Sequence, residues 1–298
     1  MKLSKQGRTN LTGYLFIAPN IIGFIIFLLI PVVLSLGISF TSWNILGGLE
    51  ALKWVGLKNY QRLPLDAYFV KSLWNNVVYT LKFVPITMGL ALLLAVVMNK
   101  KIYGRSVIRA MFFIPFISNI VAISAVWMAF FQPETGPINK MLMMFGMQNP
   151  PQWLASSATA LDSIVIVNVW LNFGYTMVIY LAGLQNIPKD VYEAADIDGA
   201  GPVRKFVKIT WPMLSPTTFF ILITTMINSF KVFGTVNVMT QGGPGDATSV
   251  IVFYIYQTAF RFYKMGYAAA MSWILFIIIF AITLVQWQGQ KKWVGYSL

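Results

Sequence analysis

The segment that decides the fold is DVYEAADIDGAGPVRKFVKITWPMLSP, residues 190–216, which interrupts an otherwise strongly apolar chain. It contains four acidic residues, three basic residues and five glycine or proline residues. No other acidic residue lies between Asp162 and Asp246. Long apolar runs precede and follow it, so the segment is a polar connection between two hydrophobic parts of the chain.

The composition indicates that most of the chain lies in a lipid bilayer. Of the 298 residues, 57% are hydrophobic and only 10% are charged, whereas a soluble domain has about 25% charged residues. The apolar runs are continuous and do not alternate as the strands of a membrane barrel do, so helices must satisfy the backbone hydrogen bonds. The sequence therefore predicts an all-α, polytopic membrane protein.

Six runs approach the length of about 20 residues that a membrane-spanning helix needs. We expect the whole chain, residues 1–298, to form one transmembrane domain, in which the first run stays as an uncleaved span. Pro19 and Pro31 are expected to break that first run. The predicted spans are 11–40, 76–98, 110–131, 161–184, 216–239 and 268–287.

The basic residues predict the orientation of these spans. If the N-terminus is inside, thirteen of the 22 Lys and Arg fall in cytoplasmic segments, seven fall outside, and Lys82 and Lys231 fall within spans. This bias follows the positive-inside rule and predicts that both termini are cytoplasmic. It also explains the net charge of +13 without a nucleic-acid partner, for which the chain has no soluble basic face.

Several kinds of chemistry are excluded by missing residues. The chain has no histidine and no cysteine, which removes the familiar catalytic triads and thiolate or imidazole metal sites. It also lacks a phosphate-binding loop followed by lysine. Asp196, Asp198 and Arg204 only loosely match a membrane phosphotransferase signature, with the wrong spacing. We therefore expect no catalytic residue, no metal and no cofactor in this chain, which is not expected to be an enzyme.

The predicted spans contain no Asp or Glu except Asp162, which lies at an edge. Ion-coupled secondary carriers usually need an ionisable group in the membrane, so this absence argues against such a carrier. This absence does not exclude an ion site that is built wholly of carbonyl groups.

The polar segment has the signals of two short helices. Asp190 and Glu193 resemble a capping box, which predicts a helix that begins near Val191. Gly199 can end this helix, and Pro202 suits the first position of the next one.

The second helix is predicted to lie at the membrane interface. Its apolar face would carry Val203, Phe206 and Val207, and its basic residues Arg204, Lys205 and Lys208 would take the other face.

The first of these helices is too short to be stable alone. About eight residues span about 12 Å, and such a helix needs a docking partner in order to persist in water. Ala194 and Ala195 allow close approach, while Glu193 and Asp196 offer charge to a partner. The pattern therefore predicts a helix that inserts into another protein.

The residues of this segment also resemble those of a known family. Glu193, Ala194 and Ala195, followed by Gly199 and then by Ile209 and Pro212, match the EAA-loop pattern of binding-protein-dependent ABC importer permeases, with Trp211 in place of the usual leucine. Three further stretches resemble the oligosaccharide and glycerol-phosphate branch of that family: RAMFFIPFISNIVAISAVWMAFF at 109–131, YLAGLQNIPKDVYEAA at 180–195 and MTQGGPGDAT at 239–248.

The resemblance implies a permease subunit in the inner membrane of a bacterium or archaeon. Its EAA loop, about 189–216, would seat in a cytoplasmic ATPase. The implied partners are a second homologous permease subunit, two ATPase subunits and an extracytoplasmic solute-binding protein. The coupling residues would be Tyr192, Glu193, Ala194, Ala195, Asp196, Asp198 and Gly199.

The resemblance also favours a carbohydrate substrate, while a non-sugar solute and an ion-coupled carrier stay as alternatives. A neutral sugar is bound by aromatic faces together with amide and hydroxyl groups. At least one of Asn172, Tyr175 and Asn228 is expected to contact it. Both Trp127 and Trp170 could equally be packing residues, and Lys231 could extend to the membrane surface. The full candidate set is Trp127, Trp170, Asn172, Tyr175, Asn228, Lys231 and Phe233.

Overall fold

The structure, a computed structural model, describes residues 5–100 and 102–295, and every regular element over these residues is a helix. The predicted all-α fold is confirmed. The α-helices are α1 (Lys5–Phe24), α2 (Ile30–Ser39), α3 (Lys58–Arg62), α4 (Ala67–Met98), α5 (Arg105–Ile117), α6 (Ile120–Phe130), α7 (Pro137–Met144), α8 (Ala160–Gln185), α9 (Lys189–Ile197), α10 (Pro202–Lys205), α11 (Trp211–Met213), α12 (Ser215–Phe230), α13 (Gly234–Met239), α14 (Ile251–Tyr256) and α15 (Met265–Gly289).

Shorter helical segments join some of these helices. Three π-helical turns lie at Ile25–Leu29, Phe206–Thr210 and Gln257–Arg261. Five 3₁₀ turns lie at Ile45–Gly47, Leu49–Ala51, Leu63–Leu65, Trp153–Ala155 and Gln290–Lys292.

Within the described part of the chain, five helical stretches are long and apolar enough to cross a membrane, and α5 with α6 makes a sixth if this bent pair is one span. The chain is therefore a multi-pass membrane protein. Lys2 and Lys101, which contribute to the predicted inside charge, lie outside the described residues. The five stretches are Gly13–Ser39, Ala67–Met98, Ala160–Gln185, Ser215–Met239 and Met265–Gly289.

The third predicted span is not one continuous helix, because α5 and α6 are bent by 99° at their junction. The Asn119 side chain accepts hydrogen bonds from the backbone N–H groups of Val121 and Ala122, at 2.9 and 3.3 Å, and so starts a new helix. The hydroxyl of Ser118 donates to the carbonyl of Ile114 at 2.8 Å. The capping side chain of Asn119 therefore outweighs the apolar continuity of the run.

The first and second spans also differ from the sequence expectation. The first is helical from Gly13 to Ser39 and is not interrupted at its prolines. Pro19 lies inside α1, and Pro31 lies in the first turn of α2 after a π turn. The second begins well before residue 76, because the carboxylate of Asp66 accepts from the N–H groups of Tyr68 and Phe69 and caps α4.

The chain divides into two compact units. The first comprises residues up to Leu65 together with Ile255–Ile274. In it, the amide of Asn59 donates to the carbonyls of Ser39 and Thr41, both at 2.8 Å. Gly266 approaches the Thr41 carbonyl so closely that a Cβ would lie 1.9 Å from its oxygen. The loop after α2 is thereby fixed to the start of α15.

The second unit, Asp66–Tyr254 with Leu275–Leu298, is built around α4 and α8, which pack along each other. More than half of the buried residues of α4 are polar or small, whereas the exposed residues after Lys82 are uncharged and include Ile86 and Leu93. This distribution is typical of a membrane helix whose apolar face contacts lipid. Its other face packs against neighbouring helices through small and hydrogen-bonding side chains. The polar or small buried residues of α4 are Ser72, Asn75, Asn76, Thr80, Thr87, Ala91 and Ala95.

The fifth span is interrupted between α12 and α13, and neighbouring helices satisfy the polar groups at the interruption. The amide of Asn76 donates to the Ser229 carbonyl at 3.2 Å, and the Thr80 and Ser229 hydroxyls are 2.9 Å apart. On the other side of the break, the amide of Asn168 donates to the Thr235 hydroxyl at 2.9 Å. Both ends of the break are thus held by α4 and α8, as backbone at membrane depth requires.

Candidate functional site

Helix α9 is the predicted coupling helix, and the structure places it at Lys189–Ile197. Pro188 occupies the N-cap position and there is no side-chain capping bond. The predicted capping box is therefore wrong. Asp190 lies in the first turn of the helix, where a carboxylate still favours the positive end of the helix dipole.

The C-terminus of α9 follows the sequence prediction. Gly199 has φ +70°, a left-handed conformation that glycine adopts without strain. The N–H of Gly199 donates to the Asp196 carbonyl at 3.1 Å, and the N–H of Ala200 donates to the Ala195 carbonyl at 2.9 Å. This pair of bonds is a Schellman motif, which ends the helix and satisfies two of its free carbonyls.

One face of α9 is held by its own chain. The hydroxyls of Tyr192 and Thr210 are 2.9 Å apart, Ala195 is buried, and Lys205 donates to the Asp196 carboxylate at 2.5 Å. Asp196 thus has a partner within the chain, which differs from the expectation that it offers charge to another protein. The short helix is stabilised locally by these contacts.

The other face of α9 is open. Glu193, Ala194 and Asp198 are exposed, and the side chain of Ile197 is 88% exposed. This face therefore presents one large apolar and two acidic side chains to the surroundings.

Helix α10 begins at Pro202, as predicted. Val203 and Val207 are both exposed, whereas Phe206 is half-buried. Lys205 is also half-buried, because it turns back to Asp196 rather than joining the exposed basic residues. The location of this helix at a membrane interface stays a prediction.

A second candidate site is a cavity of about 120 Å³ between α4, α5, α8 and α12. Asn172 and Tyr175 line it from α8, and Asn228 lines it from α12. Three of the predicted substrate residues are therefore brought together. Its lining is Phe83, Phe116, Asn172, Tyr175, Thr176, Ile179, Ile221, Thr224, Thr225 and Asn228.

The cavity combines an aromatic surface with polar groups and has no charged residue in its lining. The rings of Phe116 and Tyr175 are stacked, with centroids 4.3 Å apart and planes 8° apart. The Asn172 amide nitrogen donates to the Asn168 carbonyl at 2.8 Å, a bond that does not use the side-chain oxygen. Such a lining can accept the apolar face and the hydroxyl groups of a neutral polar solute.

The remaining predicted substrate residues lie elsewhere. Trp127, Trp170 and Phe233 pack against an apolar cluster that includes Phe131 and Phe253. The Trp127 and Trp170 rings meet edge to face with centroids 5.7 Å apart, and the Phe233 and Phe253 ring centroids are 6.5 Å apart. These three side chains pack outside the cavity, and their contact with a substrate stays a prediction. The side chain of Lys231 is exposed and does not line the cavity.

Sequence reasoning did not identify Phe116, Thr224 or Thr225 as cavity residues. Phe116 lies in the last turn of α5 and contacts α8 there. Recognising from the sequence that a helix ends just before Asn119 could have indicated this position. Thr225 lies three residues before Asn228 on α12 and therefore shares its face.

Comparison with known proteins identifies the family. Residues 84–292 match the family described as "Binding-protein-dependent transport system inner membrane component". The chain is 38% identical to the probable ABC transporter permease protein YesP of Bacillus subtilis (strain 168). This alignment covers 100% of this chain and 96% of YesP. It is 34% identical to the probable starch degradation products transport system permease protein AmyD of Thermoanaerobacterium thermosulfurigenes, over 96% of both chains.

A solved structure supports the same fold. The similar structure is that of a bacterial alginate ABC transporter in complex with an alginate pentasaccharide-bound periplasmic protein. It matches this chain with a TM-score of 0.84 and 22% identity, over 98% of both chains. The chain belongs to the binding-protein-dependent transport system inner membrane components. The predicted ABC importer permease is confirmed.

Proposed function

We propose that this chain is the permease subunit of an ATP-driven importer of a neutral oligosaccharide or related carbohydrate. The observation that carries the proposal is the uncharged cavity at mid-span. Asn172 is the thirteenth of the 26 residues of α8, so the cavity lies near the middle of that span. Transporter substrates are commonly bound near the bilayer midplane beside interrupted helices, and both α5–α6 and α12–α13 are interrupted here.

The names of relatives support the carbohydrate class. AmyD is named for starch degradation products, and the similar solved transporter is named for alginate. Alginate is an acidic polysaccharide, whereas the cavity of this chain is lined only by uncharged residues. We therefore favour an uncharged sugar. A non-sugar solute is the second candidate, since amides and hydroxyls also recognise other neutral polar molecules.

Coupling is assigned to the open face of α9. Glu193, Ala194 and Asp198 would contact a cleft of a cytoplasmic ATPase, while Tyr192, Ala195 and Asp196 hold the helix to the permease and Gly199 ends it. ATP binding by that partner would then move α9 and, through α8 and α12, the cavity. The chain itself performs no catalysis.

The assembly we propose has a second homologous permease, two ATPase subunits and an extracytoplasmic binding protein. Residues 1–298 would form one permease domain with both termini in the cytoplasm. The similar alginate transporter was solved with a periplasmic protein, which supports the binding-protein partner.

Three alanine variants test the cavity. Asn172→Ala, Tyr175→Ala and Asn228→Ala should each lower sugar uptake in the reconstituted importer, while the loaded binding protein still stimulates ATP hydrolysis. Asn186→Ala, at the C-cap of the same helix α8, is the matched control and should transport normally. If all three cavity variants import at the parental rate, the substrate passes elsewhere.

A further inference from the structure

A groove of about 360 Å³ lies between the ends of the span helices and the coupling segment. We call it the Lys100 groove. It is distinct from the mid-span cavity, because the two share no lining residue. Its lining is Val96, Asn99, Lys100, Leu184, Tyr192, Pro202, Lys205, Phe206 and Thr210.

The lining combines apolar residues with basic residues, the two kinds of group that can bind an anionic amphiphile. Val96, Leu184 and Phe206 provide an apolar floor, while Lys100 and Lys205 provide two ammonium groups. No carboxylate is among the lining residues. The groove therefore has the chemistry of a site for an anionic group that carries an apolar chain.

The position of the groove identifies the source of that group. Lys100 follows Met98, the last residue of α4, by two positions, and Leu184 is the penultimate residue of α8. Both helices are long enough to cross the membrane, so their ends lie at the level of the lipid headgroups. A phosphate at the two lysines would therefore lie near the level of the headgroups, and the apolar residues of the lining would be available to an acyl chain.

We propose that the Lys100 groove binds the phosphate headgroup of an anionic phospholipid in the cytoplasmic leaflet. The leaflet assignment rests on the topology in the proposed function. Anionic lipids are attracted to juxtamembrane lysines by about 1 kcal/mol for each cation.

An occupied groove would act on the coupling helix. The Lys205 ammonium is held by the Asp196 carboxylate of α9 at 2.5 Å, and a lipid phosphate would compete with that carboxylate for it. Asp196, whose side chain is 63% exposed, would then be released toward the ATPase. The lipid thereby regulates how α9 presents its charge.

Photocrosslinking tests whether an anionic phospholipid binds in the Lys100 groove. The purified importer is placed in nanodiscs of phosphatidylcholine that contain photoactivatable phosphatidylglycerol. Lys100→Gln should lower photocrosslinking to this chain about fivefold, and Val96→Trp, which fills the apolar floor, should lower it similarly. Lys140→Gln, an exposed lysine on α7, is the matched control and should crosslink as the parent does.

The outcomes separate the alternatives. Parental crosslinking of both Lys100→Gln and Val96→Trp would overturn the proposal. Binding of inorganic phosphate that Lys100→Gln weakens, together with parental lipid crosslinking of that variant, would also overturn it, because the ligand would then be a free anion. Crosslinking is measured without transport, so a failure of lipid capture is distinguishable from a failure of sugar uptake.

Discussion

Phe116 on α5 and Tyr175 on α8 form the aromatic wall of the mid-span cavity, with ring centroids 4.3 Å apart. The contact depends on close approach of the two helices. A Cβ on Gly174 would lie 1.7 Å from the carbonyl oxygen of Phe112, so only glycine allows this approach at that position. The cavity wall is therefore set by an aromatic pair together with a neighbouring glycine.

Phe116→Ala should weaken uptake without preventing assembly. The variant removes the stacked partner of Tyr175 and one wall of the cavity, and aromatic pairs contribute about 0.5–1.5 kcal/mol beyond area burial. We expect uptake at low sugar concentration to fall about fivefold. Phe220→Ala, at an exposed position of α12 outside the cavity lining, is the control. Equal uptake by the two variants would show that the wall does not contact substrate.

Gly174→Ala should destabilise the packing of α5 on α8. Because the obstructing atom belongs to backbone, the helices must separate, at a cost of about 1–3 kcal/mol. Thermal unfolding of the purified importer, followed by size-exclusion chromatography, measures the change. Gly89→Ala on α4 has no atom within 4 Å of the added Cβ and should be neutral or stabilising. A parental unfolding temperature for Gly174→Ala would contradict the packing.

Gly199→Val should uncouple ATP hydrolysis from transport. Valine disfavours the φ of +70° at this position, and a left-handed conformation costs an ordinary residue about 1–2 kcal/mol. Gly201→Val is closely matched, because Gly201 has φ −67° and open space around it. We expect uptake to be lost only in the Gly199 variant. Loss in both variants would mean that the loop tolerates no side chain there, whatever the backbone conformation.

The orientation of the chain can be tested with single cysteines, since the sequence has none. Thr135→Cys and Asp246→Cys should react with an impermeant thiol reagent added from outside. Ser4→Cys, which lies outside the described residues, should react only after permeabilisation. Labelling of Thr135→Cys and Asp246→Cys only from the cytoplasmic side would reverse the proposed topology.

Local sequence signals predicted those features that depend on local chemistry. Gly199 and Pro202 were assigned correctly because φ preference and the missing proline N–H act within a few residues. The helical class of the spans followed from continuous apolar runs, and five of the six predicted spans correspond to long apolar helical stretches in the described part of the chain. Asp190 failed as a cap because the helix begins at Lys189, two residues before Val191, and element boundaries depend on competition between neighbouring signals.

The candidate cavity depends on tertiary packing, and only three of its lining residues were among the predicted ones. Asn172, Tyr175 and Asn228 meet at one cavity, as polar side chains in a bundle interior often do. Trp127 and Trp170 pack together instead, because two large rings bury more area against each other and the surrounding apolar cluster. The Lys205–Asp196 pair was not foreseen, since it needs the fold-back between α9 and α10.

The central claim is that this chain carries sugar in a process driven by ATP, and the most direct measurement is oligosaccharide uptake by proteoliposomes that contain the importer and its loaded binding protein. We predict uptake when ATP is supplied on the cytoplasmic side, none with a proton or sodium gradient alone, and none with Ala194→Arg, which places a charge on the open face of α9. Ala194→Ser should retain uptake. Uptake driven by an ion gradient without ATP, or parental uptake by Ala194→Arg with the ATPase still bound, would contradict the claim.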